Sequence, residues 1–529
     1  MLRAMRRSAL ILLLLAAFPL PAGAALRPEA VAVLYNSAVP ESRQLAEIYR
    51  QAREIPVENL IALDMPVTPD ISRENYEKWI LKPLRREFGS RGWWKRQTDG
   101  GGVTLPVAND IRVLVTMRGV PLRIQPVPKA AAKAGAPPPQ NPAAGHDEAS
   151  VDSELAMFGV EGLPIDSVLQ NKFYQSEKSI TDAAMPYLVL TARIDAPTFA
   201  TCERMIRDAV AVEKTGLWGR AYVDIANKFP QGDQWLEAVV KSNATAGIPT
   251  VVDRFDDTLP KNYPMTGASL YYGWYDWSLS GPFLNPRFEF RKGAVAMHLH
   301  SFSAEQLADP AKNWCGGLLE KGAAVTVGNV YEPYLHLTHD FGILHQRLLD
   351  GHSWVEACWM AMPVTSWQGV VLGDPLYRPF SHFDGGGVKE DGDIEFRALR
   401  AAALQWKNDL LEQRKQLEKA SERMQSGILA EAVGLSSLQK NDPAMAAQWF
   451  RTAKTRYTST EDKMRQDFHL IAIDRAAKRK DLAVQGLRAA QLSYGPLPEA
   501  DALRGWLDIL DPPPPLVADP TKPPAVATP

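Results

Sequence analysis

The sequence predicts an α/β protein with a largely parallel sheet flanked by helices, followed by an α-helical domain. Two observations carry that prediction. Short apolar, strand-like runs alternate with helical spacing from Val31 to Leu349, and almost everything after Asp393 has helical character as far as Asp511. A hydrophobic fraction of 46% with 23% charged residues excludes a mostly disordered chain. Lys and Arg (59) nearly cancel Asp and Glu (61), so no broad basic field exists to recruit nucleic acid.

Taken in order, residues 1–24 read as a signal peptide. Arg3, Arg6 and Arg7 form a positive region, Ala9–Phe18 is apolar, and Ala22-Gly23-Ala24 offers a cleavage site. Ten apolar residues are too few to span a ~30 Å hydrocarbon core. The expectation is an exported, periplasmic or extracellular protein with no transmembrane anchor after cleavage.

Val31–Tyr35 then reads as a buried strand, with Ser42 capping a helix through Ala52. Further strands are expected at Ile111–Met117, Tyr187–Leu190, Ala221–Ile225, Thr250–Val252, Ala268–Tyr272, Gly293–His298 and Ala323–Val327. Helices are expected near Ala200–Glu213 and Phe341–Leu349. Together these place an α/β domain at 28–382. Residues 126–150 hold six prolines and an alanine run, which predicts a disordered surface loop.

A glycine-rich, acidic linker at 383–397 leads to a helical domain at 398–511. There Asn441-Asp442, Ala446, Phe450, Ala453 and Tyr457 are echoed by Lys480-Asp481, Gln485, Ala489 and Tyr494, with the aspartates 39 apart. Thr458 and Glu461 fit a capping box. The pattern resembles tetratricopeptide-type repeats, and a plain helical bundle is the alternative. Residues 512–529 carry eight prolines and read as a disordered tail.

No phosphate-binding loop, dinucleotide fingerprint or HExxH is present. Gly351-His-Ser353-Trp-Val355 lacks the second glycine of a nucleophile elbow and lies in helical sequence. Cys202, Cys315 and Cys358 have no CxxC spacing and read as inert core thiols. Six of the nine histidines lie between 298 and 352, which localises the search for a site. His298 and His300 share a face at a strand end, followed by Ser301 and Ser303, and ligands bind beyond the carboxyl ends of strands in open α/β sheets.

Three readings of this cluster stay open. A histidine could activate Ser301, oriented by Asp276, Glu332 or Asp374. His298 or His300, with Glu332 and His336, could hold a divalent metal. The groups could instead merely satisfy one another. His336 and His339, three apart, would share a helical face. Asn36, Asp152, Glu154, Arg193, Tyr275, Asp276 and Asp374 are candidate substrate-binding residues. Asp152 and Glu154 could be an exposed cation-binding pair or a helix start, and Arg193 could pair with Asp195 or Asp224. No cofactor is assigned.

Several runs, including Arg53-Glu-Ile-Pro56, Gly119-Val-Pro-Leu122, Val151-Asp-Ser-Glu-Leu155, Gly293–Ser303, Gly328–Tyr334 and Gly373–Pro379, resemble an uncharacterised family of exported bacterial proteins. That family occurs mainly where exosortase, a sorting system linked to exopolysaccharide, is present. Arg193-Ile-Asp195, Val212-Glu-Lys214 and the spaced residues from Gly322 to Gly373-Asp-Pro375 also resemble gingipain-type cysteine peptidases. This second resemblance implies a caspase-like fold with a His–Cys dyad on successive strand ends. Here those ends are Tyr272–Tyr275, without His, and His298–Ser303, without Cys. The expectation is an exported envelope protein whose caspase-like domain is non-catalytic or altered, with a protein partner of that machinery docked by the helical domain. The alternative is an envelope hydrolase, peptidase-like or metal-dependent, centred on His298, His300, Ser301 and Glu332.

Overall fold

The computed structural model describes residues 26–128, 143–163 and 168–513. The expected signal peptide, the middle of the proline-rich loop (129–142) and the tail from 514 lie outside the described residues. No helix among the described residues is long and apolar enough to cross a membrane.

Two compact units result. The first comprises Met1–Thr258, Gly267–Leu279 and Glu289–Leu417; the second comprises Leu259–Thr266, Ser280–Phe288 and the chain from Glu418. The expected domain start at 398 falls inside helix Ile394–Gln405, which belongs to the first unit. Three arginine contacts explain why. Arg291 pairs with Asp393 at 2.6 Å, Arg397 lies over Trp218, and Arg400 lies over Phe383.

Ten strands form the first unit's main sheets: β1 (Val31–Asn36), β2 (Leu60–Leu63), β3 (Val113–Met117), β4 (Leu190–Ile194), β5 (Arg220–Asp224), β6 (Thr250–Asp253), β7 (Ala268–Gly273), β8 (Val295–His298), β9 (Thr326–Asn329) and β10 (Gly369–Leu372). One sheet runs β9-β10-β4-β3-β1-β2 and the other β6-β5-β7-β8. A parallel bridge between Val295 and Val325 joins them. All pairings are parallel except β9 with β10. Strands β3, β4, β5 and β7 are buried at every residue, so both sheet faces are covered, as their unbroken apolar runs require.

The single antiparallel pair divides the strands into two oppositely directed sets. β5–β9 end at one edge of the sheet, whereas β1–β4 and β10 end at the opposite edge. The strand ends that carry Asn36 and Arg193, both candidate substrate-binding residues, therefore lie at the opposite edge from the strand end that carries His298 and His300.

Local differences have physical causes. The first helix starts at Pro40, whose missing N–H suits that position, so Ser42 lies inside the helix and accepts from the Asn36 N–H instead of capping. Strand β4 lies at Leu190–Ile194 instead of Tyr187–Leu190, because Arg193 is buried by partners the sequence does not reveal. Within the expected surface loop, Ala143 is buried with Val364 and Trp367, and Ala149–Ser150 pairs with Arg123–Ile124.

The second unit stacks helices Gly427–Gln439, Pro443–Arg456, Thr460–Ala476, Lys480–Tyr494 and Ala500–Leu510, each packing on the next. The buried positions repeat at 37 residues, not 39: Ala446 with Ala483, Phe450 with Leu487, Ala453 with Ala490, and Tyr457 with Tyr494. Gln485 and Ala489, aligned on the aspartates, face solvent. The cap of the third helix is Ser459, whose hydroxyl accepts from the Asp462 N–H, not Thr458. At the centre, buried Glu431 takes both Arg465 Nε (2.7 Å) and Nη2 (2.8 Å).

Candidate functional site

Residues at the ends of β6, β5, β7 and β8 lie side by side in register: Asp253, Asp224, Gly273 and His298. His298 is fully committed. Its Nε2 accepts from the Asp276 N–H at 3.2 Å, which leaves Nδ1 to donate to the Tyr271 hydroxyl oxygen at 3.0 Å. The ring lies flat on Trp314, with centroids 3.4 Å apart and planes 6° apart, and the Trp314 indole is fixed by the Asp276 carbonyl. Burial, with a smaller contribution from His300, drives the His298 pKa well below 6.5. The imidazole is neutral and has no free nitrogen.

His300 sits past the strand end. Its Nδ1 donates to the Ser301 carbonyl at 2.5 Å, and its ring lies 5.1 Å from Tyr275 and 4.8 Å from Trp277. In the neutral ring Nε2 is then an acceptor. Ser301 Oγ donates to Glu332 Oε2 at 2.6 Å, and Glu332 Oε1 accepts from the Tyr334 N–H. Phe302 and Tyr334, beside this pair, hold left-handed φ values of 58° and 61°, which side chains of that size rarely adopt. The structure thus brings His298, His300, Ser301, Glu332, Tyr275 and Asp276 into one region. No histidine is hydrogen-bonded to Ser301 Oγ among the described contacts.

The proposed metal set does not form. No three His, Cys, Asp or Glu side chains among the described residues are arranged to hold a metal ion. His336 is exposed on a 3-10 turn whereas His339 is buried, so they share no helical face. His345 is occupied by Tyr272 Oη and Asn243 Oδ1.

The remaining candidates are structural. Asp152 and Glu154 are buried in the first turn of helix Val151–Leu155, not exposed. Asp152 Oδ2 pairs with Arg193 Nε at 2.9 Å, and its Oδ1 accepts from Thr116 at 2.6 Å. The rest of the Arg193 guanidinium donates to the Val120 and Pro121 carbonyls, with Asp195 at 3.5 Å. Arg193 therefore pairs chiefly with Asp152, more closely than with the expected Asp195. Glu154 pairs with Arg73, and burial raises its pKa. Asn36 spends its amide on the Gly119 and Met65 carbonyls and accepts from the Ala38 N–H. Asp374, at the opposite sheet edge from Ser301, is held by Tyr49 and Arg53 and cannot orient a histidine there.

Ser353 is a helix cap: Glu356 completes its capping box and also accepts from Ser179 and Ile180. All three cysteines are free and buried. Burial pushes the Cys315 thiol up to about 12, so it carries no thiolate at neutral pH. Sequence reasoning missed Trp314 and Phe229, which reach the site from distant loops and carry no local signal. Comparison of the chain with protein-family models, curated proteins and solved structures finds no match in any of the three.

Proposed function

We propose that the first unit is a caspase-like module of an exported envelope protein, and that its strand-end site binds a ligand without hydrolysing it. The β6-β5-β7-β8 order, with β9 running parallel beyond, supports that fold reading: β7 and β8 are adjacent and parallel, in keeping with a dyad carried on successive strand ends in the resembled peptidases. The observation that carries the binding reading is His298. Both its nitrogens are hydrogen-bonded, it is neutral and buried, and Ser301 faces a carboxylate in place of an imidazole. A carboxylate is a weaker base than an imidazole, so a serine that has only the carboxylate is a weak nucleophile. The helical unit, read as tetratricopeptide-like, would dock a partner of the exosortase and exopolysaccharide machinery.

Intact-mass analysis after treatment with a fluorophosphonate and with iodoacetamide under native conditions tests the reading. The expected result is no adduct with either reagent. A fluorophosphonate adduct that disappears in Ser301→Ala would overturn it in favour of the hydrolase alternative, with Glu332 as the group on the serine.

A further inference from the structure

Five rings run in sequence across the end of the β5–β9 set. Phe229 is 6.1 Å from Tyr275, Tyr275 is 5.1 Å from His300, His300 is 4.8 Å from Trp277, and Trp277 is 6.1 Å from Phe302. Phe229, Tyr275 and Trp277 are 52%, 42% and 62% exposed. Tyr275 and Trp277 flank the buried His300 ring, and exposed aromatic surface of this kind marks an interaction site. The carboxylates beside the strip are acceptors: Asp276, which lies between Tyr275 and Trp277 in the chain and accepts from the Trp277 N–H, and Glu332, which accepts from the Ser301 hydroxyl.

We infer that this strip is a subsite for a neutral saccharide chain. A pyranose ring has an apolar C–H face and a hydroxyl edge. The weakly positive C–H bonds meet the negative face of an aromatic ring, while the hydroxyls donate to carboxylates in charge-assisted hydrogen bonds. A succession of rings suits a chain of such units. A single cationic head group would engage only part of a succession of five rings. An anionic chain is repelled by Glu332 and Asp276, and an apolar helix would bury both carboxylates without partners, at a desolvation cost. The Ser301 hydroxyl and the Tyr334 N–H each hold one Glu332 oxygen, which positions that carboxylate beside the rings before any ligand arrives.

This inference rests on the binding reading above, and its test can fail separately. The full chain is run in native affinity gels containing dextran, mannan, galactomannan or β-glucan, with polygalacturonate as the anionic control. Retardation by at least one neutral polysaccharide is expected. Its half-saturation concentration should rise at least tenfold in Trp277→Ala and stay within about threefold in Trp277→Phe. Trp277 is mostly exposed, so an unchanged thermal midpoint in Trp277→Ala should confirm that the variant is folded. No retardation by any neutral polymer, retardation unchanged in Trp277→Ala, or retardation by polygalacturonate alone would each overturn the saccharide assignment while leaving the absence of Ser301 labelling untouched. Shortening of a retained polymer would instead sink the non-hydrolytic reading and leave the subsite standing.

Discussion

Removing the Asp152 carboxylate should damage the first unit more than any surface change. Arg193 is wholly buried, and its closest countercharge among the described residues is Asp152 at 2.9 Å, with Asp195 next at 3.5 Å. In Asp152→Ala the guanidinium keeps the Val120 and Pro121 carbonyls but loses that partner, and Thr116 loses its 2.6 Å acceptor. Breaking a buried pair on one side costs about 3–5 kcal/mol, because the remaining charge stays desolvated. Replacing both members by apolar groups is far cheaper, so Asp152→Ala combined with Arg193→Met should recover most of the loss. Hydrogen exchange read on peptides covering β3 and β4 localises the effect. At about 1.4 kcal/mol per factor of ten, the single variant should exchange there two to four orders of magnitude faster. An Asp152→Ala variant with wild-type exchange in β4, or a double variant worse than the single, would refute the account of Arg193 as a buried ion pair.

Two further outcomes follow from the same reasoning. Burial lowers the His345 pKa from 6.5 to about 3, so the folded state refuses a proton that the unfolded chain accepts. The stability this gives is complete above pH 6.5 and declines as pH falls below it. The loss reaches about 2 kcal/mol at pH 5 relative to pH 8. Urea melts at both pH values should therefore show a pH dependence shallower by about that amount in His345→Gln, and equal slopes would contradict it. In the second unit, a methyl added at Gly434 would lie 2.6 Å from the Phe450 ring. Gly434→Val should cost about 1–3 kcal/mol through overpacking, read as a lower urea midpoint, whereas a neutral effect would argue against this helix pairing.

The sheet strands with continuous apolar runs were legible because burial on both faces leaves a run of Val, Ala, Leu and Tyr with no polar alternation, as in β1, β3, β5 and β7. β2 and β10 were not, since four residues such as Gly369–Leu372 between glycines carry too little pattern. The direction of the two strand sets was also hidden. It depends on β10 returning antiparallel beside β9, a pairing across some forty residues that no local feature announces. The cluster from His298 to Glu332 was found by density of chemical groups, and the structure does assemble it. The role of each group was not legible, because it depends on which distant atom fills each hydrogen-bonding position: Tyr271 for His298, Glu332 for Ser301, Thr116 for Asp152. The helical region was recognised, but the sequence alignment within it was misphased. Aspartates at helix starts vary with the cap, whereas the small residues at the helix crossings set the 37-residue spacing.

The return of β10 also dictates an order of events for a chain that emerges from its amino terminus. Strands β1 to β4 can associate as soon as Ile194 is available, but the outer side of β4 keeps unpaired backbone groups until Gly369–Leu372 arrives to cover it. The later β5–β9 set cannot attach to the earlier one before then either, because β10 is the strand between them. For more than 170 residues of chain emergence, a strand edge remains open to any neighbouring chain that can pair with it. Completion of the main sheet thus waits on four residues near the end of the α/β region, which makes the stretch from Gln368 to Gly373 a late-acting clasp.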